Sequence, residues 1–120
     1  MNIRIKTSDY EMPTKVSLYL ADRLATLEKL LGKNADLTRC EVELGKATGR
    51  HKHSDYQWFA EIQIKRPGSA TLVASNHESA INAAIDNAKD EMKRQLRKTN
   101  TSRTTKVRKG AAQAKRLLRS

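Results

Sequence analysis

Three cations, Lys89, Lys93 and Arg97, follow one another at intervals of four residues, and Arg94 and Lys98 form a second row beside them. Residues four apart share one face of a helix, so the two rows make a basic ridge about two turns long, able to follow several phosphates of a nucleic acid. Cations held on a rigid element displace the counterions condensed on a polyanion, and that release drives binding of this kind. Arg23 and Lys29 lie off the apolar stripe of an earlier segment and are cations of the same sort. The ridge also carries Asp86, Asp90 and Glu91, three or four residues from Lys89, Lys93 and Arg94. A solvated helix face laced with ion pairs is therefore the competing reading.

Other residues are weaker candidates for chemistry. Arg50, His51, Lys52 and His53 form a second cationic cluster in a loop-like stretch from Gly45 to Ser54, where a hairpin tip could enter a groove. Neither cysteine nor carboxylate stands at ligand spacing from His51 and His53, so no metal site is expected. His77 reads as a residue near a helix start. Tyr56, Trp58 and Phe59 can stack on bases where exposed. A chain with one Trp, one Phe and three Tyr needs rings in its core, however, which favours Trp58 inside and the other two as partial cover. Cys40 falls at an apolar strand position and reads as a small buried hydrophobe. Glu41 and Glu43 share a strand face, and outward-facing glutamates explain them as well as a carboxylate pair does. There is no phosphate-cradling glycine loop and no nucleophile with an evident base. The expectation is a protein that is not an enzyme, with no cofactor and no small-molecule substrate.

The elements that must position these cations follow from pattern. Ile3 and Ile5 alternate with Arg4 and Lys6, as in a short strand buried on one face. Val16, Leu20, Leu24, Leu27 and Leu31 recur at helical spacing, with Pro13-Thr14 at the start, where Thr14 can cap, and Gly32 at the end. Cys40, Val42 and Leu44 alternate as a second strand. Tyr56 to Lys65 makes a third, and after the Pro67-Gly68 turn Ala70 to Ser75 returns as a fourth. A second helix from about Glu78 to Lys98 carries Ile81, Ile85, Ala88, Met92 and Leu96 on one stripe. The sum is a two-layer α+β domain of order β-α-β-β-β-α, with two helices packed on one face of a four-stranded sheet.

At 120 residues the chain holds one domain, with 38% hydrophobic and 31% charged residues. Its 24 Lys and Arg exceed 13 Asp and Glu by a net +11, which favours a polyanionic partner. The excess is uneven. Residues 1–99 form the domain, and residues 100–120 a flexible basic tail with Arg103, Lys106, Arg108, Lys109, Lys115, Arg116 and Arg119 and no acid. Ala111 to Leu118 could become a short helix on a partner, or the tail could simply be a solubilising end. A single cysteine excludes an internal disulfide, and no run of 18 apolar residues or apolar leader exists, so a cytoplasmic protein with no membrane partner is expected.

Four stretches are distinctive: Ala21-Asp22-Arg23-Leu24-Ala25-Thr26-Leu27-Glu28-Lys29, Leu72-Val73-Ala74-Ser75, Ala84-Ile85-Asp86, and Lys93-Arg94-Gln95-Leu96-Arg97-Lys98. In this order and at these separations, from Met1 to Lys98, the chain resembles the ribosome hibernation promoting factor family, which includes ribosome-associated inhibitor A. The resemblance implies a fold that binds the small ribosomal subunit between head and body. There it would occupy the channel used by mRNA and transfer RNA and silence translation in starved or cold cells. Arg23, Lys29, Lys89, Lys93, Arg94, Arg97 and Lys98 would be its contacts to ribosomal RNA phosphates. Long members add a C-terminal dimerisation domain, whereas only the basic tail follows here, so a protein monomeric off the ribosome is expected. The rival reading is a general double-stranded RNA- or DNA-binding module, which shares the α-β-β-β-α order and a basic end.

Overall fold

The computed structural model describes residues 1–47 and 56–99, and within them the strands and helices alternate in the order that the sequence pattern sets out. Strand β1 is Asn2–Ser8, helix α1 Thr14–Leu31, β2 Arg39–Lys46, β3 Trp58–Lys65 and β4 Leu72–Glu78. Helix α2 covers 81–99. A six-residue 3-10 segment, Gly32–Leu37, links α1 to β2, and the apolar pattern gives no sign of it. The sheet order is β1-β2-β3-β4, with β1 parallel to β2 and the other two pairs antiparallel. A parallel pair needs a crossover, and α1 supplies it.

One core lies between the layers. Val16, Leu20, Leu24, Leu27 and Leu31 of α1 meet Cys40, Val42 and Leu44 of β2 and Ala60, Ile62 and Ile64 of β3. Ala84, Ile85, Ala88, Met92 and Leu96 of α2, with Ala74 of β4, close the other side. Leucines that are wholly buried each contribute roughly 1.5–3 kcal/mol of transfer free energy, which is what holds both helices on one face. Cys40 is buried as expected, and burial, with the neighbouring Glu41, pushes its thiol up to about 11.

Several local expectations are corrected. Ile3 and Ile5 pair with Cys40 and Val42 and so share the helix-covered side, yet they remain 41% and 43% exposed. The alternation holds, but β1 is an edge strand and the helix layer only half covers it. At the start of α1 the cap position is Pro13, with no side-chain cap from Thr14; the Pro13 carbonyl accepts from the N–H groups of Val16 and Ser17. Trp58 is half-buried, edge-on to Tyr10 at 5.1 Å between ring centroids, rather than in the core.

Gly45 belongs to β2, not to the following loop. A Cβ there would lie 2.1 Å from the Ser8 carbonyl oxygen, so only glycine lets the end of β1 close on β2. Strand β4 extends to Glu78, because Asn76, His77 and Glu78 pair with Ala60, Phe59 and Trp58. These polar residues read locally as a helix start, and pairing with β3 overrides that preference. The cluster Arg50 to His53 and the tail 100–120, with its possible helix, lie outside the described residues.

Candidate nucleic-acid interface

Helix direction decides where the cations gather. Gln95 of α2 donates to the carbonyl of Val73, near the start of β4, at 2.9 Å, while Asn87 donates to Glu78, at the end of β4, at 2.6 Å. Helix α2 therefore runs antiparallel to β4. The Met1 ammonium reaches Glu28, near the end of α1, at 3.4 Å, so α1 runs antiparallel to β1. Strands β1 and β4 point the same way through the sheet, and the two helices are consequently parallel, with both C-termini at one pole of the domain.

That pole is basic. Lys29 and Lys33 stand exposed at the end of α1, and Arg97 and Lys98 at the end of α2. Cations suit helix C-termini, whose unsatisfied carbonyls carry partial negative charge. The sheet adds Arg39, which opens β2, and Lys65, which closes β3 opposite it, followed by the buried Arg66. Asn2, Asp36, Leu37, Arg39, Lys65 and Arg66 surround one surface depression at this pole. The helical cations are legible from spacing. Sequence reasoning missed Arg39, Lys65 and Arg66, since only the strand directions bring them to the same end.

The seven candidate phosphate-binding residues are not equivalent. Arg23 is held by carboxylates: its Nε donates to Asp86 Oδ1 at 3.0 Å and its Nη1 to Asp22 at 2.7 Å. Its guanidinium also lies 3.7 Å from the centroid of the Tyr19 ring, and the Tyr19 hydroxyl donates to the other oxygen of Asp86. This cluster joins α1 to α2 across the helix layer. Burial pushes the Asp86 carboxyl up, but the hydrogen bonds from Tyr19 and Arg23 outweigh it and leave the group below the ordinary carboxylate value. The bond to Asp86, with burial, raises Tyr19, and Asp86 raises Arg23.

Along α2, Lys89 is largely covered and pairs with Asp90 at 2.6 Å, and Arg94 is paired with Glu91. Hydrogen bonds from Arg94 and Gln95 hold the Glu91 carboxyl below its usual range. Lys29, Lys93 and Lys98 have no ion pair within the described residues. Of the intrahelical pairs of the competing reading, only Glu91–Arg94 forms at helical spacing among the described residues, in the middle of α2, since Lys89 takes its neighbour Asp90 and Asp86 takes Arg23 of α1. Lys93, Arg97 and Lys98 lie beyond the last carboxylate side chain of the sequence, Glu91.

The helix-free face of the sheet differs. Arg4, Lys6, Arg39 and Lys65 stand there among Glu41, Glu43 and Glu61. Lys65 lies 3.2 Å from Glu41 and Lys6 3.8 Å from Glu43, and Ser8 also donates to Glu43. Toward the opposite pole, Phe59 of β3 pairs in register with His77 of β4. On the helix side of the same end, the Lys46 ammonium sits 5.0 Å from the centroid of the Trp58 ring. Among the described residues no group of three or more His, Cys, Asp or Glu is disposed to hold a metal, and no helix is long and apolar enough to cross a membrane.

A family model described as Sigma 54 modulation protein / S30EA ribosomal protein matches residues 3–104. Among solved structures, a ribosomal subunit interface protein from Coxiella burnetii superposes with TM-score 0.66 at 14% identity, covering 84% of this chain and 99% of its own. The Protein Y N-terminal domain from Thermus thermophilus gives TM-score 0.65 at 24% identity, over 82% of this chain and 99% of that domain. At such identities the likeness is one of fold. No match is found among curated proteins.

Proposed function

Since the chain belongs to the Sigma 54 modulation / S30EA ribosomal protein family, we propose that it is a ribosome-associated factor that binds the small subunit and silences translation by occupancy. In this reading the rigid domain fills the channel for mRNA and transfer RNA, with its basic pole on ribosomal RNA phosphates. The observation that supports it most directly is the convergence of both helix C-termini. Lys29 and Lys33 stand on one, and Lys93, Arg97 and Lys98 follow the last carboxylate side chain on the other. Arg94 and Lys89 join them once phosphate competes with Glu91 and Asp90. Arg23 contributes through its remaining N–H groups while it braces the helices.

The mode is binding without covalent chemistry, and the place of action is the cytoplasm, where ribosomes work. Residues 1–99 act as the binding domain, monomeric before it docks, and the basic tail extends the positive charge beyond α2. The protein accumulates in this reading when cells stop growing, as a reversible block rather than a translation component.

The test is cosedimentation of the purified protein with ribosomes and separated subunits in sucrose gradients at low and moderate salt. Migration with small subunits and whole ribosomes at about one copy each, undiminished by excess random duplex RNA, is the expected result. A protein stripped onto the duplex would be a general double-stranded nucleic-acid binder, the rival class, and one left at the top of the gradient would bind neither.

A further inference from the structure

The sheet face that turns away from the helices holds a feature that phosphate binding does not use. Phe59 on β3 and His77 on β4 stand directly opposite one another, with ring centroids 5.8 Å apart and planes inclined at 33°. His77 is exposed and Phe59 half-exposed. On the other flank Phe59 faces Gly45, which has no side chain to rise beside the ring. Two tilted rings on neighbouring strands, with the side-chain-free Gly45 on the other flank of Phe59, form a π-surface on the helix-free face of the sheet.

Charge on this face argues against phosphate as its ligand. One residue pair away from the rings, Glu43 and Glu61 oppose one another across β2 and β3. Lys6 and Lys65, two cations of the same face, are engaged by Glu43 and Glu41. Among the described residues, a phosphate above this surface would meet the carboxylates of Glu43 and Glu61 before an ammonium without an ion pair. A flat, neutral, polarisable group meets no such penalty, and an unpaired nucleobase is such a group. Stacking on aromatic rings is how proteins hold unstacked bases in folded RNA, and it needs neither charge nor sequence readout.

We propose that Phe59 and His77 form a stacking platform for one unpaired RNA base, a contact on the opposite face of the domain from the helix ridge. The proposal rests on the ribosome-binding reading for its biological ligand, but the platform itself requires only an accessible unstacked base. It assigns the two faces different physics. The ridge binds through counterion release and weakens steeply with salt, whereas the platform contributes a term that salt hardly alters.

The experiment measures small-subunit affinity of the full chain at several salt concentrations for the wild type, His77→Ala, His77→Trp and Phe59→Leu. In parallel, quenching of a short single-stranded RNA carrying 2-aminopurine reads stacking directly. His77→Ala should weaken subunit binding roughly ten-fold, with the slope against log salt unchanged and the quenching reduced. His77→Trp should restore both. Phe59→Leu keeps the apolar bulk of the strand and should lose quenching while circular dichroism stays native. Wild-type affinity in His77→Ala would overturn the platform, and so would a shallower salt slope, which marks His77 as a cation contact. Should the wild type quench the labelled RNA but not bind subunits, the platform would stand and the ribosomal reading would fall. Binding to subunits without quenching would keep the ribosomal reading and remove the platform.

Discussion

The two poles of the domain carry different kinds of surface, although sequence composition spreads charge over both. At one pole the C-termini of α1 and α2, the start of β2 and the end of β3 converge on Lys29, Lys33, Arg39, Lys65, Arg97 and Lys98. At the other stand rings, Tyr10, Trp58, Phe59 and His77, with Lys46 over Trp58. Chain direction creates the contrast. Because β1 and β4 run the same way and each helix returns against its strand, both helix ends fall together. The number of charges in a segment says little about its electrostatics until the partner of each charge is known: Arg23 and Lys65 are cations held by carboxylates, whereas Lys93 and Lys98 have no ion pair within the described residues.

The largest predicted effect breaks the basic pole outright. Lys93→Glu together with Arg97→Glu places two carboxylates on the part of α2 beyond Glu91, and ribosome affinity should fall by about two to three orders of magnitude at low salt. The salt slope should flatten by roughly 0.7–0.9 for each phosphate no longer engaged. Both residues lie off the buried stripe, so the fold should be kept, with a loss of about 1 kcal/mol because two carboxylates four residues apart are unfavourable near a helix C-terminus. Filter binding over a salt series checks this, and an unaltered affinity would remove the ridge from the interface.

Much of this contrast is legible in the sequence, and the reasons for the remainder are physical. The 3.6-residue period of Leu20, Leu24, Leu27 and Leu31, and that of Ile85, Ala88, Met92 and Leu96, sets both helices because burial enforces it over several turns. Element ends are less legible. Asn76, His77 and Glu78 have little strand preference of their own and pair only because β3 offers them a ladder. Gly45 reads as loop until β1 is seen to press its backbone there. The ridge on α2 is visible as spacing, but that Arg23 is bound by Asp86, a residue 63 positions later, is a tertiary fact with no local signal.

That cluster gives the next effect. Asp86→Asn retains an acceptor for Tyr19 but loses the charge that Arg23 faces. The pair is partly exposed, with side chains 30% and 37% accessible, so solvent screening limits the loss of stability to about 1 kcal/mol. The Asp86 carboxyl lies below its ordinary value in the folded protein, so its contribution is present above the unfolded pKa of about 4 and is lost as pH falls through the lower, folded value. Urea denaturation from pH 7 to pH 3 should show this loss in the wild type and a correspondingly smaller one in Asp86→Asn. Equal pH dependence in both would assign the acid sensitivity to other carboxylates.

The smallest effect sharpens the contrast most, because it concerns two lysines at one pole, one closing β3 and one near the end of α2, that differ in company. Lys65 lies 3.2 Å from Glu41, whereas Lys98 has no ion pair within the described residues. A cation already matched to a carboxylate gains little by moving to a phosphate, since one favourable partner replaces another and the carboxylate is left behind near the polyanion. Lys98→Gln should therefore reduce ribosome affinity by roughly three- to five-fold and the salt slope by about 0.7–0.9, the signature of one phosphate contact. Lys65→Gln should change affinity by less than about two-fold, consistent with the small net worth of an exposed pair. Glu41→Gln, which frees Lys65, should by the same logic raise affinity slightly and steepen the slope. Equal losses at Lys65 and Lys98 would mean that proximity to the pole alone determines binding, and that the carboxylates of the sheet face do not shape it.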